Sequence, residues 1–365
     1  MKSEILFLSS CNPDENGNGL QKRCSMWIHL LEKKGYTVDF INYYSLSQNI
    51  KLLSFLKSMP LPVFVVNSIH FLFTFYKRKK LLSAYLKTDK DIFLFRINTL
   101  LTFSNDEILY FLTLNNRLLA IDFDECEYQL LLSSDKHSVV NILLRYKVFN
   151  LEKTIWQQPS VIKYISSSNE LKKFENLFGA SDNCFEESNK IFPKLTVLLD
   201  KKLNHPLQFL VLGDYNYLPN EDMLYQLIDF LMNPVLNEDN AHFHIVGKGI
   251  KTSIRQSLSG HTCLTIHGFL SAEELKSLLL TVDFLFVPIN LGGGTKLKII
   301  EALSYGLPSF STIKGVEGMN LVPMIHYIPF DKVEDFLALL SISDAEYKEL
   351  RKNCFYVFNS QFALS

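Results

Sequence analysis

The chain has 365 residues, 47% of them apolar and 21% charged, more than one hydrophobic core usually supports, which predicts two domains. Thirty-seven basic side chains balance 38 acidic ones, and a net charge of −1 excludes a nucleic-acid binder held by phosphate electrostatics. Six scattered cysteines (Cys11, Cys24, Cys126, Cys184, Cys263, Cys354) form no C-x-x-C pair or metal-ligand spacing, and read as reduced, mostly buried thiols of a cytoplasmic protein.

"EILFLSS" is a short β-type run, too brief for the apolar centre of a signal peptide. A Gly/Asn/Pro loop follows, then a helical pattern carrying Leu20, Cys24, Trp27, Leu30 and Leu31, which stops at Gly35. "TVDFINY" completes a strand–helix–strand unit, which points to a parallel sheet. The segment from Met59 to Lys80 is apolar and ends in the basic cluster Lys77 to Lys80. Pro60, Pro62, Asn67, Ser68 and His70 interrupt it, whereas an unbroken membrane span needs about twenty apolar residues. It reads as a buried helix with a basic end, or alternatively as a surface resting on anionic lipid at the inner face of a membrane. "DIFLFRIN", "RLLAIDFDE" and "SVIKYISSS" are further strands, the last followed by a helix.

After a polar connection around 185–205 the pattern restarts. "LQFLVLGD", "AHFHIVGKG", "CLTIHGF", "VDFLFVPIN", "LPSFST" and "HYIPF" read as six strands with helices between most of them. The expected organisation is a first domain over 1–190, a second over 191–342 and a terminal helix over 343–365. Two doubly wound parallel sheets in tandem face each other across a cleft, and the glycines gather at the carboxyl ends of the strands, where α/β sheets bind ligands.

One stretch carries chemistry. "NLGGGTKLKIIEALSYGLP" predicts a helix over 295–305, stopped by Gly306 and Pro308. Its free N-terminal amides and positive dipole end favour an anion, and three glycines before it let a phosphate approach the backbone. Lys298 leans toward the same end, and Glu301 lies one turn on, where a ribose would suit a carboxylate better than a phosphate. The constellation fits a nucleoside diphosphate. The plainer alternative is a flexible corner followed by an exposed Lys/Glu pair.

With these residues in view, 207–319 resembles the nucleotide-sugar site of glycosyltransferase family 4, the group 1 glycosyltransferases of the GT-B fold. "FLVLGDYNYLPNEDM", "FHIVGKG" and "LTIHGFLSAEELKSLLLTVDFLFVP" come in that family's order, while 1–190 matches more loosely. The resemblance implies an α/β GT-B protein with two Rossmann-like domains and a retaining hexosyltransferase that needs no metal or other cofactor. It implies that Glu301 holds the donor ribose and Lys298 the pyrophosphate, with Gly293, Gly294 and Thr295 facing the pyrophosphate and sugar. His267, Phe269, Gly213, Lys248 and Gly249 would border the donor, and Gly17 and Gly19 would approach its phosphates from the first domain. The partners implied are a nucleotide-sugar donor and a glycan or lipid-linked acceptor, with polysaccharide biosynthesis as the setting.

Departures qualify this. Gly293 stands where the family often has a first glutamate, Gly213-Asp214-Tyr215 replaces a basic pair, and no histidine ends the strand at "RINTLLTF". Asp122, Asp124, Glu125 and Glu127 either supply a general base, with Asp124 the candidate, and bind acceptor hydroxyls, or form a solvated turn. Arg96 either pairs with these acids or reaches the phosphates, and Lys248 is either a turn residue or a phosphate contact. A non-catalytic subunit that binds a glycan or a partner is the first rival reading, and a nucleotide-sugar epimerase the second.

Overall fold

The computed structural model describes residues 3–48, 52, 54, 57–59, 63–114, 117–132 and 139–364. The chain divides into two units, Met1–Glu187 and Ser188–Ser365. In the first, a six-stranded parallel sheet runs in the order β2 (Thr37–Asn42), β1 (Glu4–Ser9), β3 (Asp91–Phe95), β4 (Leu119–Asp124), β5 (Val161–Ile165), β6 (Cys184–Glu186). Helices cover its faces, so the central strands read as continuous buried runs rather than alternating ones. Phe7 stacks on Phe93 at 5.0 Å, and Trp27 of the Gly19–Lys33 helix packs 4.7 Å from the same ring. That helix starts because Asn18 and Gln21 cap each other's backbone amides, and it ends before Gly35 at φ +93°.

The segment expected as a buried helix with a basic end differs. Its helix spans Val63–Tyr85, so the Lys77–Lys80 cluster lies inside it rather than at its end. Val66, Thr74 and Leu82 face the core while Leu72, Phe73, Phe75 and Tyr76 are exposed. Apolar residues occur on both sides of the helix, which removes the periodicity that would have marked the buried one. Pro60 and Pro62 lie outside the described residues. Among those residues no helix is long and apolar enough to cross a membrane.

The second unit repeats the plan, in the order β12 (Tyr327–Pro329), β11 (Ser309–Ser311), β10 (Phe284–Val287), β7 (Leu207–Leu212), β8 (Ala241–Val246), β9 (Leu264–Gly268), all parallel. All six strands coincide with those expected from sequence. The helix Asp344–Val357 belongs to this unit's core: Tyr347 donates to the Asp283 carbonyl at 3.0 Å, and Arg351 to that of Leu199 at 2.7 Å. In each sheet the strand order reverses beside the first strand, between β1 and β3 and between β7 and β10. Loops leaving neighbouring strands there diverge to opposite faces and open a crevice at the carboxyl ends.

Candidate functional site

The β7/β10 reversal brings two helix starts together. After β7, the chain turns through Gly213 into the helix Leu218–Leu231, with Pro219 in its first turn; after β10, it runs through Gly292–Thr295 into the helix Leu297–Ser304. The second helix is shorter than the 295–305 read from sequence because Lys296 is still extended and Thr295 is held from outside. Asn189 donates to the Thr295 hydroxyl at 2.7 Å and to its carbonyl at 3.2 Å. The two loops pack on each other. A Cβ on Gly292 (φ +93°) would sit 2.9 Å from Pro219, and one on Gly213 the same distance from Asn220. Gly294 is left-handed as well, at φ +63°. Lys296 folds back so that its amine donates to the carbonyls of Gly293 and Gly294, the latter at 2.9 Å.

This folding aims the loop carbonyls inward at Lys296 and leaves amides outward. Among the described residues the backbone N–H groups of Gly293, Thr295 and Lys298 have no hydrogen-bond acceptor. Lys298 reaches the same place. Its amine donates to Asn220 Oδ1 at 2.6 Å and lies 3.8 Å from Met223 Sδ, and among the described residues no carboxylate pairs with it. Asn220 is turned that way because its own amide nitrogen donates to the Asp214 carbonyl. Burial, with Lys296 nearby, pushes the Lys298 amine down to about 7. A desolvated amine without a counter-charge, beside free amides, is a vacancy for an anion. Glu301 follows on the same helix and is buried.

The remaining donor-side residues divide. Phe269 is exposed just past β9, as a ring that stacks on a base would be. His267 is not free: its ring lies 2.9 Å from His244 Nδ1, and His244 Nε2 lies 2.9 Å from Gln208 Oε1. Burial pushes His244 down to about 4, so it is neutral at pH 7, donating to Gln208 and accepting from His267. Lys248 pairs with Asp214 at 3.3 Å on the surface, which favours the turn reading. Gly249 (φ +85°) makes room for Asn216, and Gly247 sits against the Gly213 carbonyl, which a Cβ would approach to 1.7 Å. Gly17 gives space to the Gln21 side chain, and Gly19 opens the first helix with its amides capped by Asn18.

The first unit corrects the reading of the acidic cluster. Asp122, expected to bind acceptor hydroxyls or lie in a solvated turn, is fully buried and takes two hydrogen bonds from Arg23, at 2.6 and 2.8 Å. Its oxygens are committed to that pair. Asp124, the candidate base, accepts from Arg96 and lies 3.5 Å from Arg23 Nε; Glu125 and Glu127 lie 3.5 and 3.6 Å from Arg96. Burial alone would push the Arg96 guanidinium down, but the four carboxylates hold it above its usual value. Arg96 therefore pairs with the acids. Both Arg96 (φ +71°) and Asp124 (φ +60°) are left-handed, backbone strain located where β3 and β4 end. Arg23, on a helix far away in sequence, gave no signal from its neighbours in the chain.

A cavity of about 380 Å³ opens beside the β1/β3 reversal, lined by Ser10, Tyr43, Tyr44, Arg78, Asn98, Leu101 and Thr102. Asn98 Oδ1 and Thr102 Oγ1 are buried there without a hydrogen-bond partner, and the Arg78 guanidinium lies 4.8 Å from the Tyr44 ring centroid. The sequence reading missed it. Its wall draws on four separate segments, and Arg78 reads from sequence only as part of a helix's basic end.

Residues 206–335 match the family described as Glycosyl transferases group 1. No curated protein matches the chain by sequence. Among solved structures it is similar to sucrose-phosphate synthase from Thermosynechococcus elongatus (TM-score 0.69, 13% identity, 99% of this chain and 95% of that one). It is also similar to WaaG, a glycosyltransferase involved in lipopolysaccharide biosynthesis (0.66, 11%, 98% and 95%). A third is Anabaena HepE in complex with UDP and glucose (0.63, 13%, 99% and 96%). At these identities the likeness establishes the fold, which is GT-B: two six-stranded parallel sheets, each with flanking helices.

Proposed function

We propose that the protein transfers a sugar from a nucleotide-diphosphate sugar to a glycan or lipid-linked acceptor, as a retaining hexosyltransferase of glycosyltransferase family 4. The observation that carries this is the desolvated Lys298 amine, with no carboxylate partner among the described residues, beside free amides at the start of the Leu297–Ser304 helix. It lies inside the segment that matches group 1 glycosyltransferases. In this reading the pyrophosphate sits on the amides of Gly293 and Thr295 and on Lys298, Glu301 binds the ribose, and Phe269 stacks on the base. HepE, whose solved complex contains UDP and glucose, lends weight to a uridine donor.

The bond from the sugar to the leaving phosphate breaks first, and positive charge gathers on the ring. Lys298 and the helix amides neutralise the departing diphosphate, so no metal is needed for that charge. The acceptor attacks the same face of the sugar, and the cavity lined by Tyr43, Arg78 and Asn98 is the first unit's candidate for holding it. With Asp124 tied to Arg96, the departing phosphate oxygen is the group left to take the acceptor proton. The exposed Leu72, Phe73, Phe75 and Tyr76, beside exposed Lys77 and Lys80, suit contact with anionic lipid and support a reading in which the protein works at a membrane's inner face, in polysaccharide biosynthesis.

Thermal-shift screening against UDP-, GDP-, ADP- and TDP-sugars tests the reading. A donor at a hundred times its dissociation constant stabilises the protein by ~2.7 kcal/mol. Lys298→Ala and Glu301→Ala are each expected to abolish the shift, and NMR of the released sugar or product reports the anomeric configuration. No shift with any donor would refute the proposal. One observation favours a second reading, a glycosyltransferase-like subunit that binds without catalysing: both Asp122 and Asp124 are neutralised by arginines. Donor binding with neither transfer nor hydrolysis would select it.

A further inference from the structure

Two of the six cysteines meet at the carboxyl end of β1, and neither the fold nor the donor site requires them to. Cys11 lies in the loop just after β1, and Cys24 in the second turn of the Gly19–Lys33 helix. The Ser9 hydroxyl stands between them, 3.6 Å from Cys11 Sγ and 3.6 Å from Cys24 Sγ. Cys24 has no exposed surface, whereas Cys11 is partly exposed and follows into the solvent-exposed residues 12–16. We propose that Cys11 and Cys24 are a reversible oxidation site, with Cys11 the attacking sulfur and Cys24 the resolving one, which closes to a disulfide on reaction with a hydroperoxide.

The surroundings divide the labour between the sulfurs. The nearby Cys24 thiol draws Cys11 down to about 7 against the opposing effect of burial, helped by the Ser9 hydroxyl and the positive charge of Arg96. The proximity of Cys11, together with burial, pushes Cys24 up, so it keeps its proton until called on. A low-pKa, reachable thiol with a second thiol on the far side of one shared hydroxyl is the arrangement that favours disulfide closure over irreversible oxidation.

The chemistry balances with the hydroperoxide as the oxidant. The Cys11 thiolate attacks one peroxide oxygen; the O–O bond breaks, the leaving oxygen departs as hydroxide and takes a proton to become water. Cys11 is now a sulfenic acid. Cys24 loses its proton and attacks the Cys11 sulfur; the S–S bond forms, the S–O bond breaks, and the second oxygen leaves as water. Two thiols and one hydrogen peroxide become one disulfide and two waters. The cross-link would pin the β1 loop, with Gly17 and Gly19, to the helix that follows it.

The test uses the full-length, fully reduced protein treated with one equivalent of hydrogen peroxide and mapped by non-reducing peptide mass spectrometry. The expected product is a Cys11–Cys24 cross-linked peptide, about 2 Da lighter than the two thiol peptides together, that disappears with dithiothreitol. Without peroxide, iodoacetamide is expected to label Cys11 with a half-maximal rate near pH 7 and at least about tenfold faster than Cys184, whose thiol burial pushes up to about 11. Cys24→Ser, nearly isosteric, is expected to accumulate sulfenic acid at Cys11 that dimedone traps. Cys11 oxidised to sulfinate without a cross-link, a disulfide through other cysteines, or no preferential labelling of Cys11 would each overturn the proposal. None of these readouts depends on donor binding or on transfer.

Discussion

Lys298 shows how one side chain gives stability a pH dependence. Its amine titrates near 7 in the fold against 10.5 in a free chain, so between those values the unfolded state binds more protons than the folded one. The sign follows: stability rises with pH across that window, and below it the buried charge is carried in full. Lys298→Met is therefore expected to melt higher than the wild type at pH 6 and to lose that advantage toward pH 10, while binding nucleotide diphosphate far more weakly. The wild type should take up a proton on binding above pH 7, which calorimetry in buffers of different ionisation enthalpy reads directly. The Arg23–Asp122 pair is the opposite case, with every polar atom committed. Asp122→Ala would strand a buried guanidinium and is expected to cost about 3–5 kcal/mol in urea unfolding.

At the scale of elements, the loops after β7 and β8 depend on close backbone approach. Gly247 holds φ +140°, and a Cβ there would overlap the Gly213 carbonyl. Gly247→Ala is expected to destabilise by roughly 3 kcal/mol or more, because backbone rather than a flexible side chain must give way. Urea midpoints check it; a loss below roughly 1 kcal/mol would mean the β7 and β8 ends can separate. These turns were legible in part. Helices were expected after β5, between β9 and β10 and near the chain's end, and Ser167, Ser271 and Ser343 cap them there. The Leu297–Ser304 helix was read two residues too long at its start, because Asn189, more than a hundred positions away, holds Thr295 out of it.

At the scale of the molecule, each unit closes its own core, and each sheet reverses its strand order beside its first strand. One face that neither core absorbs is the outer side of the Val63–Tyr85 helix, where aromatic and basic residues are exposed together. Burying such a side in a lipid surface gains apolar contact and about 1 kcal/mol for each lysine near anionic head groups. The protein is accordingly expected to float with vesicles containing phosphatidylglycerol and to stay behind with neutral ones. Phe73→Ser with Tyr76→Ser should abolish flotation and leave donor-induced thermal shifts intact. Equal binding to both kinds of vesicle would remove the charge from the explanation.

Local chemistry settled the strands of the second sheet, the serine-capped helices and the glycine corner before Lys298. Alternation, caps and turn residues act over a few positions and are written in the order of the chain. The ion network around Arg96 and Asp122, the commitment of His267 to His244 and the cavity beside Asn98 were decided by tertiary structure alone. Each depends on side chains brought together by strands that cross over in the sheet, and on burial, which changes the charge a group prefers; no neighbour in the sequence carries either.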